Sequence, residues 1–121
     1  MLKLTHLSMF VLSGSLVLTA ACGPKYADTG TATVNQQRNE LGACINEAKA
    51  RNPGLVGQKH EMNLAFEIAP DGKVNRFNIF KDETKDADFA TCITIKARNW
   101  AFPPPPSGKM EQFTFKFNAN F

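Results

Sequence analysis

The last eleven residues constrain this chain more than any other stretch. Residues 111–121 read EQFTFKFNANF, and Phe113, Phe115, Phe117, Ala119 and Phe121 alternate with Gln112, Thr114, Lys116, Asn118 and Asn120. A period of two puts one set on each face of a β-strand. One face is aromatic and must be covered, and the other is polar and can meet water.

Two more strands precede it. In residues 59–69, Met62, Leu64, Phe66 and Ile68 alternate with Glu61, Asn63, Ala65 and Glu67. Pro70-Asp71-Gly72 follows as a turn, Pro presetting φ and Gly supplying a positive φ. In residues 73–81, Phe77 and Ile79 share a face while Val74 is out of phase, which a bulge near Asn75 reconciles. The two runs form a hairpin.

Helical spacing appears twice. Over residues 34–51, Val34, Leu41, Ile45 and Ala48 share a face that Cys44 borders; Thr33 is placed as N-cap and Asn52-Pro53-Gly54 as the stop. Over residues 86–100, Phe89, Cys92, Ile93, Ala97 and Trp100 follow helical spacing, and Pro103 to Pro106 prevent continuation. The order α-β-β-α-β implies an α+β fold: a three-stranded antiparallel sheet in the order 2-1-3, with two helices on one face. Strand 3 then lies at an edge.

Composition narrows the function. A chain of 121 residues is one domain, and a net charge of +3 is too small to argue for nucleic acid. Beyond residue 21 only His60 and Ser107 represent their types, so a Ser/His triad or a His-rich metal site lacks raw material. Asp82, Glu83, Asp86 and Asp88 lack the spacing and glycine of a calcium loop and read as a solvated loop and helix start. His60, among charged neighbours, is expected to be exposed. No catalytic residue, metal or cofactor is expected, and the chain is not read as an enzyme.

The N-terminus carries an address. Lys3 gives a positive n-region, Leu7 to Leu18 an apolar h-region, and Thr19-Ala20-Ala21 a small-residue cleavage site, so residues 1–21 are read as a signal peptide. This twelve-residue region spans about 18 Å as a helix, short of a hydrocarbon core of about 30 Å. Cys22 directly after Ala20-Ala21 resembles the lipobox of bacterial lipoproteins, with Leu18 one position further back than the family usual. The resemblance implies a lipid on Cys22, and Gly23 rather than Asp implies the outer membrane, facing the periplasm. Plain cleavage, giving a soluble periplasmic protein, is the alternative. Residues 22–33 are then a lipidated end and flexible tether, and 34–121 the folded domain. With Cys22 lipidated, Cys44 and Cys92 remain as an even pair in an oxidising compartment.

A second resemblance covers residues 34–121. Cys44, then Asn52-Pro53-Gly54-Leu55 and Gly57, Phe66-Glu67-Ile68-Ala69-Pro70-Asp71-Gly72-Lys73-Val74, Cys92-Ile93, Trp100-Ala101-Phe102-Pro103 and the closing aromatic strand are together similar to the TonB-like C-terminal domains, specifically the AgmX/PglI group. In that setting Cys44 and Cys92 read as a structural disulfide. A metal would need more ligands, and a redox pair would have C-x-x-C spacing. The four prolines read as a rigid connection. Energy-transducing TonB proteins carry a membrane helix and a long Pro-rich spacer where this chain has a lipoprotein-like leader, so transduction by this chain alone is not expected. The resemblance implies a protein-binding module that holds an extended peptide of an envelope protein on strand 3, flanked by Gln112, Thr114, Lys116 and Asn118. The alternative is a structural subunit of a gliding-motility, transport or secretion machine.

Overall fold

The computed structural model describes residues 25–121, so the stretch 1–21 read as a signal peptide and Cys22 lie outside the described residues. Three strands form one antiparallel sheet: β1 (Lys59–Ile68), β2 (Val74–Asp82) and β3 (Glu111–Asn120), in the order β2-β1-β3. Helices α1 (Tyr26–Gln37), α2 (Leu41–Arg51) and α3 (Ala87–Arg98) accompany it. A 3-10 turn over Arg38–Glu40 joins α1 to α2, so they make one bent helical arm and α3 the other. The α+β fold, the strand order and the two-armed helical layer are those the sequence pattern predicts.

The bulge that Val74 demands is present: the β1–β2 register shifts between Glu67 and Ile68, leaving Asn75 unpaired. A second shift between Asn63 and Leu64 leaves out Phe80. The hairpin turn is held from outside as well as within. Gly72 has φ +87°, and a Cβ there would lie 2.1 Å from the Phe102 carbonyl oxygen. Phe102 N–H donates to the Gly72 carbonyl at 2.9 Å, pinning the segment after α3 against the turn. Only glycine satisfies both demands.

Phe66 is the hub of the core. Its ring stacks on Phe113 at 4.9 Å between centroids and meets Phe77 edge-on at 5.0 Å and Phe102 at 5.5 Å. Val34, Leu41, Cys44 and Ala48 from the first arm and Phe89, Ile93 and Ala97 from α3 close the same cluster. Trp100 Nε1 donates to Glu40 at 2.9 Å, linking the end of α3 to the turn between α1 and α2. The disulfide Cys44–Cys92 ties α2 to α3, with Cα atoms 5.7 Å apart and a sequence separation of 48.

Four expectations change. The flexible tether expected over 22–33 is, within the described residues, helical from Tyr26, where α1 begins. Its buried stripe is Tyr26, Gly30, Thr33 and Val34, spaced as a helix but nearly without aliphatic residues, so no hydrophobic period marks it. Thr33 is therefore not an N-cap; it lies inside α1 and donates its hydroxyl to the Thr29 carbonyl at 3.0 Å. Cys44 is buried at the centre of its face, and Ile45 is the half-buried border. His60 is half-buried on the core side, edge-on to the Phe121 ring at 5.6 Å, with Nε2 buried and unpartnered among the described residues.

Candidate protein-binding edge

The backbone of β3 decides what its free side can do. Phe121 N–H donates to the Gln58 carbonyl at 3.0 Å, and Glu61, across the sheet, accepts from Glu83 N–H at 3.1 Å on the β2 side. In an antiparallel ladder the direction of these groups alternates residue by residue. The odd-numbered residues of β3 therefore turn N–H and C=O toward β1, and Gln112, Thr114, Lys116 and Asn118 turn theirs outward. Among the described residues no other backbone segment or side chain hydrogen-bonds these outward groups. They form a row of unpaired donors and acceptors.

The two sheet edges differ. β3 pairs with β1 through an unbroken register from Lys59↔Asn120 to Ile68↔Glu111. β2 is interrupted at Asn75 and Phe80. Bulges blunt an edge against further pairing, and a straight edge invites it.

Side chains complete the site. Phe113 and Phe117 are buried on the core face, while Phe115 is half-buried. The outer face is polar and cross-linked. Glu61 accepts from Lys81 at 3.1 Å and lies 3.6 Å from Lys116. These lysines, chiefly the hydrogen bond from Lys81, hold the Glu61 carboxyl below the usual range, and Lys81 is raised in turn. Glu67 accepts from Asn75 at 2.6 Å and from Gln112 at 3.0 Å, and these bonds lower it as well. A hollow of about 560 Å³ beside the Gln112–Thr114 end of β3 is lined by Ala65, Arg76 and Asn78 of the outer face and by Ala27 of α1.

The four edge residues singled out in the sequence thus fall together along one open backbone row. Cys44 and Cys92 come together as the disulfide, and Cys22 lies outside the described residues. Sequence reasoning missed α1 against the core side of β3, where Tyr26 meets Phe113 edge-on at 6.3 Å and donates to the Pro103 carbonyl at 2.8 Å. The only signal in sequence was the Tyr26, Gly30, Thr33, Val34 spacing. Among the described residues no three His, Cys, Asp or Glu side chains group so as to hold a metal ion, and no helix is long and apolar enough to cross a membrane.

No family model matches the chain, and no curated protein does. Among solved structures, the chain is similar to the solution NMR structure of the Pseudomonas aeruginosa TonB CTD, at 22% identity and a TM-score of 0.45, over 63% of this chain and 74% of that one. It is also similar to the solution structure of the Helicobacter pylori TonB-CTD, at 14% identity and a TM-score of 0.40, over 82% of this chain and 94% of that one.

Proposed function

We propose that this chain is a cell-envelope protein-binding module that holds an extended segment of a partner protein as a fourth strand on β3. The observation that carries the reading is the unbroken row of outward backbone groups at Gln112, Thr114, Lys116 and Asn118. A straight edge offers main-chain hydrogen bonds for affinity and alternate side chains for selection. The resemblance to TonB-like domains of the AgmX/PglI group points the same way. We further propose that residues 1–21 are removed and that Cys22 carries lipid, which would hold the module on the periplasmic face of the outer membrane; several acyl chains together anchor firmly.

Thr114→Pro tests the binding mode. Proline there removes an outward N–H and leaves the ladder to β1 intact. Partners captured from detergent-solubilised envelope by the wild type should be lost with Thr114→Pro, while the melting transition persists. Equal capture by both overturns strand addition, and self-association in place of capture would favour the structural-subunit reading. The intact mass of the protein from its membrane fraction tests the anchor: the expected mass is that of a chain starting at Cys22 plus acyl groups, two daltons heavier after reduction. A mass without acyl groups overturns it.

A further inference from the structure

Gly42 is a glycine that nothing inside the chain requires. It is the second residue of α2, where glycine favours the helix less than alanine would. A Cβ on Gly42 meets nothing within 4 Å. Its space opens instead onto a notch of about 220 Å³ between the bend of the helical arm and the end of β3. Ile45 and Phe117 give the notch apolar walls, Arg38 stands at its rim, and Asn118 borders it on the strand. Arg38 is exposed and makes no ion pair among the described residues.

We infer that this notch is the selectivity pocket of the β3 edge, and that it takes a bulky apolar side chain of the added strand with an Asp or Glu within two positions of it. The inference rests on the strand-addition reading. A strand laid beside Asn118 sends every second side chain toward the helical layer, and the notch lies on that side. A side chain entering it would be covered by Ile45 and Phe117, and a carboxylate beside it would meet the unpaired Arg38. The open space over Gly42 is what admits it. Gly30 is the contrasting case, since the Phe113 ring occupies the position its side chain would take.

A random nonapeptide library displayed on phage and panned on the full chain in mild detergent provides the probe. Enriched peptides should share one Leu, Ile, Met or Phe with an acid within two positions. Gly42→Leu fills the notch and should weaken synthetic copies of these peptides by about tenfold or more, the loss expected when one apolar side chain stays in water. Arg38→Glu should weaken acid-containing copies more than copies with the acid changed to Gln. Melting curves of both variants should match or exceed the wild type. If Thr114→Pro abolishes binding while Gly42→Leu leaves it unchanged, the notch is refuted and strand addition stands. If no peptide enriches over a Thr114→Pro control, both fall.

Discussion

The backbone of Gly30 lies directly against the ring of Phe113: a Cβ at residue 30 would stand 2.5 Å from the ring. That contact fixes α1 on the core side of β3 and gives two helical glycines opposite expectations. Gly30→Ala should cost about 1–3 kcal/mol, since ring or helix must move to admit the methyl. Gly42→Ala, with open space around it, should gain about 0.5–1 kcal/mol from helix propensity and chain entropy. Urea denaturation of the two variants beside the wild type checks both signs. Two changes of the same sign would contradict this packing of α1.

The disulfide Cys44–Cys92 closes a loop with 48 residues of separation and joins the two helical arms. Chain-entropy reasoning assigns such a closure about 4 kcal/mol. A Cys44→Ala/Cys92→Ala double variant, or the reduced wild type, should lose a stability of that order in denaturant titration. Because β3 pairs with β1 independently of the bond, peptide binding by whatever fraction remains folded should persist. A reduced protein as stable as the oxidised one would contradict the clamp.

His60 sits at the core-side end of β1 with Nε2 buried and unpartnered among the described residues, edge-on to Phe121. A buried polar atom without a hydrogen bond costs about 1–3 kcal/mol, and an aromatic replacement of similar shape removes that cost. His60→Phe should therefore raise stability at neutral pH by about 1 kcal/mol. A loss instead would mean that water satisfies the nitrogen.

How far the sequence could be read depends on which physical signal each element carries. β1 and β3 declare themselves through Met62-Leu64-Phe66-Ile68 and Phe113-Phe115-Phe117, because burial on one face forces alternation. The bulge at Asn75 is legible because Val74 falls out of phase with Phe77. The bulge at Phe80 is not, because it lies beyond the last apolar pair. α1 escaped because it packs through a glycine backbone, a tyrosine with a polar tip and a threonine, none of which raises a hydrophobic period. The outward direction of the Thr114 and Lys116 backbone groups depends on register with β1, which no local pattern encodes. The notch at Gly42 needs the bend between α1 and α2, set by a 3-10 turn with no strong marker in Arg38–Glu40.

Asp86 links fold and acidity. It caps α3 by accepting from Phe89 N–H at 2.9 Å, and Arg51 approaches at 3.0 Å. The Phe89 bond first, then the Arg51 guanidinium, hold its carboxyl below the usual aspartate range. A depressed folded value means that the unfolded chain binds the proton first. The stability contributed by Asp86 is therefore complete above about pH 4 and drains away as the pH falls through the lower, folded value. Asp86→Ala should cost about 1 kcal/mol at pH 7 through the lost cap. Asp86→Asn keeps a capping oxygen without a titrating group, so it should stay near wild-type stability at pH 7 and lose less on acidification. Denaturant titrations at pH 7 and pH 3 separate the two variants. A wild-type acid slope in Asp86→Asn would assign that slope to Glu61 and Glu67, whose carboxyls are lowered as well.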